Sequence, residues 1–465
     1  MKNNLKRTLS AILCSVMVTA AFAGCNNDSG SSTGEGNSSG DISSAGESSA
    51  AGEKQTFKWF SPRVDRNSGY GLVEETLLKQ YMEEHKDVEI VMETLENETY
   101  KPKLKAYIAS DDIPDLFFIW TTPTWFDPVV KAGQVAEIDA DFVTDPDQKF
   151  KEIAFDGCKY DDKYYAIPNT SEFYVVYYNT KIFADNNIEP PETYDDLLDI
   201  TKKLRDNGIQ PCSINGKEVW NCGNMVWNML IQMNQEVDTL KYDVTLDRKI
   251  KFADYEPLKN ANLRFKELAD AGFFHDNWLN ADWSEMYNMF VQGQTAMLYC
   301  SGEMADLNTR SDVADSVKGN IDCFLFPAKE GDKGKSTDMC AQYITGYALS
   351  SQAPQAAHDF LYWLMDRDNF AKSCWEMSGQ LSAQDVTDFA TEEEMNSLKG
   401  KVLNIQNNIS IAAGVSYVEL STATFRSERD DALHSYWANM ITLDEYCDIL
   451  DQAADEAAKE LQSQE

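Results

Sequence analysis

Residues 164–179 read Tyr-Tyr-Ala-Ile-Pro-Asn-Thr-Ser-Glu-Phe-Tyr-Val-Val-Tyr-Tyr-Asn, an apolar run, a polar turn cluster and a second, longer apolar run. Pro168, Asn169, Thr170 and Ser171 interrupt an otherwise extended segment, and Phe173 to Tyr178 has the aromatic and β-branched content of a buried strand. The pattern predicts one chain segment crossing from one compact unit into another. Glu172 sits at the crossing, where a side chain can face a crevice while the strand behind it stays packed.

Upstream, residues 56–60 alternate like a strand, and residues 71–86 place Leu72, Val73, Leu77, Tyr81 and Met82 at helical spacing. Residues 88–95 return as a strand, 100–110 as a helix and 115–120 as a buried strand. Strand, helix, strand, helix, strand predicts an α/β layer with a mostly parallel sheet, whose ligand crevice lies beyond the carboxyl ends of the strands. The loops at 61–67 and 120–125 belong there, with Trp120 at the lip.

Downstream, Thr193 caps a helix to Arg205, with Asp195 and Asp196 in its first turn and Gly208 beyond its end. Leu258, Ala261, Phe265, Leu268 and Ala269 mark another helix that stops at Gly272. Trp283, Met286, Tyr287, Phe290 and Val291 form a stripe read as core, followed by a strand at 295–300. The turn at 301–304 can offer backbone N–H groups to a polar ligand. Strands follow at 321–326 and 343–349, a helix opened by Pro354, and a last helix over 442–462.

At 465 residues the chain exceeds what one hydrophobic core supports, so two lobes are expected. Lys2, Lys6 and Arg7 precede an apolar stretch, residues 9–23, too short to span a bilayer, which is the layout of an export signal over residues 1–24. Phe22-Ala23-Gly24-Cys25 resembles a bacterial lipobox, with Phe22 in place of the usual aliphatic residue. The resemblance implies that Cys25 is lipidated, with acyl chains such as palmitate, and becomes the new N-terminus. Residues 26–54 are Ser-, Gly- and Asn-rich with Ile42 their only large apolar residue, a flexible tether with an end-to-end distance of about 30 Å.

There are 41 basic against 77 acidic residues, a formal net charge of −36, which excludes nucleic acid and anionic lipid headgroups as partners. The ten cysteines contain no CxxC pair, and the four histidines have no metal-binding spacing, so neither a metal nor a cofactor is expected. Cys212 and Cys222 stand ten residues apart, which permits a bridge without requiring one.

Residues 114–120 (Pro-Asp-Leu-Phe-Phe-Ile-Trp) with 130–139, residues 162–168 (Asp-Lys-Tyr-Tyr-Ala-Ile-Pro), residues 178–183 with 190–198, and residues 290–297 (Phe-Val-Gln-Gly-Gln-Thr-Ala-Met) form an ordered set. In that order, and after a lipobox, they resemble the extracellular solute-binding proteins of carbohydrate ABC importers, the maltose-binding-protein-like group. The resemblance implies a two-lobe, periplasmic-binding-protein-like α/β fold with hinge strands between discontinuous lobes. Lobe 1 would take residues 55–170 and 327–372, and lobe 2 residues 171–326 and 373–465. It also implies a monomer that encloses a carbohydrate, an oligosaccharide, and passes it to the transmembrane subunits of an ABC permease, without enzymatic activity.

By the same resemblance Trp120 matches an aromatic after the third strand and Glu172 an acidic ligand contact. Arg63 and Asp65 follow the first strand, where polar contacts are common, and Glu303 stands where relatives often carry a stacking Trp. A sugar presents an apolar C–H face and a hydroxyl rim, so its site needs flat aromatic surfaces edged by charged or amide groups. Trp120, Trp220 and Trp227 are candidate faces; Glu172, Glu303, Arg63, Asp65 and Gln380 are candidate edges, with Phe425 and Arg426 as further contacts. The alternatives are an exported glycoside hydrolase using two carboxylates, or a binder of the same fold for a non-sugar solute.

Overall fold

Phe57, Trp59 and Phe60 turn inward while Thr56 and Lys58 face water, which makes the first alternating segment strand β1 (Gln55–Ser61). The computed structural model describes residues 54–462 except residue 340; the stretches expected to be an export signal and a tether, apart from residue 54, and Cys25, expected to carry lipid, lie outside the described residues. The strands that follow are β2 (Val88–Thr94), β3 (Leu116–Trp120), β4 (Lys159–Tyr160), β5 (Lys163–Tyr164), β6 (Ile167–Pro168) and β7 (Tyr174–Asn179). Then come β8 (Gln210–Ser213), β9 (Thr295–Ser301), β10 (Ile321–Phe324) and β11 (Thr345–Leu349).

A five-stranded sheet has the order β2-β1-β3-β11-β6, and a four-stranded sheet the order β10-β7-β9-β8. Segment 164–179 passes from one to the other, placing β6 in the first sheet and β7 in the second. Each sheet contains one reversed strand. β11 is antiparallel to both β3 and β6, and β7 is antiparallel to both β10 and β9, while β1, β2 and β3 are mutually parallel, as are β8 and β9. The reversed strands are those that arrive from the opposite lobe. They enter from the side where the βαβ strands end, so they run against them; Thr345 at the start of β11 accordingly lies beside Trp120 at the end of β3.

Helix Gly69–Glu84 buries Val73, Leu77, Leu78 and Tyr81 against the first sheet, in one core with Phe57, Trp59, Phe117, Ile119 and the Phe360–Leu364 face of helix Gln355–Met365. The β7 strand is buried on both faces and serves two cores. Tyr174, Val176 and Tyr178 pack with helices Tyr194–Asp206, Trp220–Asn234 and Glu256–Asp270, whereas Val175 and Tyr177 pack with helix Trp283–Val291. Thr193 forms the expected cap, a reciprocal box in which its hydroxyl receives Asp196 N–H and the Asp196 carboxylate receives Thr193 N–H. Cys212 and Cys222 are both buried free thiols, not a bridge.

Between the sheets two strands run side by side. Glu172 N–H donates to Gln342 O at 2.8 Å and Gln342 N–H returns a bond to Glu172 O at 2.9 Å. Strand pleating sends successive side chains to opposite faces, so Glu172 and Gln342 face one way and Ser171, Ala341 and Tyr343 the other.

Candidate functional site

A cavity of about 800 Å³ opens where β1, β2 and β3 end on one wall and where β8 and β9 end on the other, with Thr170, Glu172 and Gln342 as its floor. This is the position that strand order dictates, since only the carboxyl ends of the strands leave loops free to project into a crevice.

On the first wall, the loop after β1 carries Arg63 and Asp65. The loop is fastened from beneath by the buried Glu74 carboxylate, which accepts from Ser61 Oγ at 2.8 Å, from Tyr347 OH at 2.6 Å and from Arg66 Nη1 at 2.6 Å. Gly71 is required here: a Cβ at that position would stand 1.9 Å from Asp65 O. Arg63 lies over the rings of Tyr70 and Phe118, at 5.0 and 5.5 Å. Asp65 accepts from Ser68 Oγ and Asn67 N–H, and these bonds hold its pKa below the ordinary value.

The loop after β3 places Trp120 beside Trp125, their ring centroids 5.3 Å apart, with the indoles also covered by Lys101 and Lys105 at 5.4 and 4.8 Å. On the opposite wall Trp220 opens helix Trp220–Asn234, and Trp283 stacks on Tyr287 at 5.1 Å with nearly parallel planes. Tyr287 is held by a bond from its OH to Asp312 at 2.9 Å and one from Arg310 Nη1 at 3.2 Å. Each wall thus offers aromatic surface edged by charged groups.

Glu172 accepts from Tyr174 OH at 2.7 Å and from Gln342 Nε2 at 3.3 Å. Burial pushes its pKa up to about 7 against these bonds, and the charges of Glu303 and Glu419 push the same way. Two ties join the walls. Arg63 Nη2 lies 3.7 Å from Glu303 Oε1, and Glu419 Oε2 receives the hydroxyls of Thr122 and Thr124 at 3.2 and 2.7 Å. Glu419 is itself fixed by Arg426 at 2.7 Å.

Trp120, Glu172, Glu303, Trp220, Arg63, Asp65, Gln380 and Arg426, all picked from the sequence, line this one cavity. Trp227 and Phe425 do not. Trp227 is 2% exposed and packs on Tyr417, and Phe425 is fully buried against Phe252, so both are core residues. The stripe read as core is core at Met286, Tyr287, Phe290 and Val291, while Trp283 at its start is exposed, and Trp283 and the edge of Tyr287 also line the cavity. Trp125, in the loop 120–125 expected at the crevice, is also on its walls, and so are Glu419 and Asn224, which carried no sequence signal because one ends a single 3-10 turn and the other lies on a helix buried nearly all round.

Among the described residues no group of His, Cys, Asp and Glu is arranged to hold a metal, and no helix is long and apolar enough to cross a membrane. Two α/β lobes linked by paired crossing strands around an aromatic- and carboxylate-lined cleft define a two-lobe solute-binding protein. Residues 67–369 match the family described as bacterial extracellular solute-binding protein, and the chain belongs to that family.

Among curated relatives, the maltotriose-binding protein of Pyrococcus abyssi is 36% identical over 135 residues, 28% of this chain and 27% of that protein. The multiple sugar-binding protein of Streptococcus mutans is 24% identical over 233 residues, 50% of this chain and 54% of that protein. The chain thus spans about a quarter to about half the length of these relatives. A solved chitin oligosaccharide binding protein superposes with a TM-score of 0.74 over 88% of this chain and 100% of its own, at 20% identity.

Proposed function

We propose that the chain is a lipid-anchored extracytoplasmic receptor, held by acylated Cys25 on a flexible tether, that captures a carbohydrate between its lobes and delivers it to an ABC permease. Lobe 1 comprises residues 55–170 and 327–372, and lobe 2 residues 171–326 and 373–465. Hinge bending at the Glu172 and Gln342 strands closes the cleft, and a solute drives closure by the difference between its affinities for the closed and open forms. The protein works as a monomer and breaks no bond.

The observation that carries this reading is the pairing of aromatic faces with polar edges on both walls: Trp120 and Trp125 opposite Trp220 and Trp283, with Glu172, Glu303, Arg63 and Arg426 between them. Stacking on a pyranose face needs the former and its hydroxyl rim the latter. The names of the maltotriose-, multiple sugar- and chitin oligosaccharide-binding relatives support the same solute class. Ten carboxylates line the cavity against six cations, which favours a neutral solute over an anionic one. Titration calorimetry of the full chain against saccharides of increasing length, with Trp120→Ala as the paired variant, tests the reading.

One feature supports a hydrolase as the second reading: Glu172, with its pKa at about 7, has the ionisable Glu303 and Glu419 near it, the pairing of proton donor and carboxylate that glycoside cleavage uses. Chromatography of the saccharide after incubation separates the two, since a receptor returns it intact.

A further inference from the structure

Helix Trp220–Asn234 is entered through a strained residue. Val219 has φ 65° and ψ −34°, and of the described residues other than glycine with positive φ it alone is β-branched. Asp111 and Gln235, by contrast, sit in the left-handed region at the ends of helices, a common arrangement there. Val219 closes a three-residue turn in which Trp220 N–H donates to Glu218 O at 2.7 Å, in the hand that a Cβ opposes.

The turn is held from both sides. Before it, Gly216 N–H donates to Trp278 O at 2.8 Å and Lys217 N–H to Ala281 O at 3.2 Å, while Asn215 Nδ2 donates to Glu218 Oε2 at 2.8 Å. Gly216 has no room for a side chain, since a Cβ would lie 2.7 Å from Trp278 O. After it, Gly223 N–H donates to Val219 O at 2.8 Å as the helix begins. The Val219 side chain is 5% exposed and packs in the second-lobe core. Its neighbours Lys217, Glu218 and Trp220 line the cleft instead.

A strained turn persists only where its surroundings over-determine it, and such turns gather at binding sites. Reversing φ at position 219 reverses the hand of the turn, which moves Trp220 off the cleft wall or strips the preceding loop from Trp278 and Ala281. We propose that Val219 is a positioning residue: its buried side chain pins the turn, and the turn aims Trp220 into the cleft. Val219 thereby governs affinity for a solute it does not touch. The aiming is a property of the fold alone, whereas its effect on affinity rests on the receptor reading.

The test joins a ligand-free measurement to a binding one, both on the full chain. In fluorine NMR of the chain labelled with 5-fluorotryptophan, the Trp220 resonance is the one lost in Trp220→Phe. It should keep its position in Val219→Gly, because glycine adopts φ 65° freely, and move in Val219→Pro, because proline holds φ near about −65°. Among the described residues Val219 N–H makes no hydrogen bond, so proline removes none. Val219→Ala keeps the Cβ conflict and loses the pin. It should melt below Val219→Gly, the reverse of the usual order, and its Trp220 resonance should shift or split.

Calorimetry with maltotriose and chitotriose reads the consequence. Val219→Pro should weaken binding by about tenfold, as Trp220→Ala does, and the double variant should bind no more weakly than either. The same comparisons on Val219→Ala serve if the proline variant does not fold. A Trp220 resonance unmoved in both Val219→Pro and Val219→Ala, or losses that multiply in the double variant, overturns the proposal. Failure of the native chain to bind either saccharide counts against the receptor reading, while the fluorine spectra judge the positioning of Trp220 without it.

Discussion

Thr124 Oγ1 donates a 2.7 Å hydrogen bond to Glu419 Oε2, from the loop after β3 to the opposite wall of the cleft. Thr122 adds a second bond to the same oxygen, and Arg426 holds the carboxylate in place from its own lobe. In the hinge-closing reading the bond forms only while the lobes meet. Thr124→Val should therefore weaken binding of the cleft solute by about tenfold, the scale of one hydrogen bond to a charged group, with little change in unfolding midpoint. Paired calorimetric and thermal titrations read both quantities; an unchanged dissociation constant would remove Glu419 from the closing contact.

The two classes of tryptophan should separate by readout. Trp120→Ala and Trp283→Ala remove cleft surface and should cost affinity by about tenfold or more. Trp227→Ala empties a core position packed on Tyr417 and should cost about 3–5 kcal/mol of stability, visible in urea unfolding.

Glu172 sets a pH dependence. Its pKa in the folded chain is raised from 4.5 to about 7, so between those values the folded state holds a proton that the unfolded state has released. That contribution to stability is complete below about pH 4.5 and is lost as pH rises through about 7. Melting temperature should fall more steeply from pH 5 to 7.5 in the native chain than in Glu172→Gln. Identical slopes would mean that the carboxyl is ionised throughout.

Cys212 and Cys222 are buried free thiols, and burial pushes the pKa of both upward. Native-state alkylation should leave both unlabelled while half-buried Cys323 reacts first among the described cysteines, and a reductant should not move the melting transition. A reductant-sensitive transition would point to a disulfide.

Much of the frame was legible in the sequence. The strand patterns at 56–60, 88–95, 115–120 and 295–300 correspond to β1, β2, β3 and β9 within a residue or two, because each alternates or forms a short buried run bounded by turns. The crossing at Pro168 to Glu172 was legible for the same reason. The orientation of aromatic residues on helices was not. Helix Trp220–Asn234 is buried on nearly all sides, so periodicity cannot say that Trp220 meets the cleft while Trp227 meets Tyr417. The stripe from Trp283 was legible as core but not as cavity wall: the same apolar helical face packs against a core at Met286, Tyr287 and Phe290 and opens into the cavity at Trp283. Glu419 ends a single 3-10 turn with no periodicity to read, and its bond is to a threonine 295 positions away.

The most direct test of the cleft's function is a thermal-shift screen of the full chain against mono- and oligosaccharides, polyols and amino acids, with recovery of each hit for product analysis. A saccharide at a hundred times its dissociation constant should stabilise the fold by about 2.7 kcal/mol, lose about half of that effect or more in Trp120→Ala and come back intact. Recovery of the saccharide as smaller products, or stabilisation by amino acids with none by any saccharide, would contradict the account.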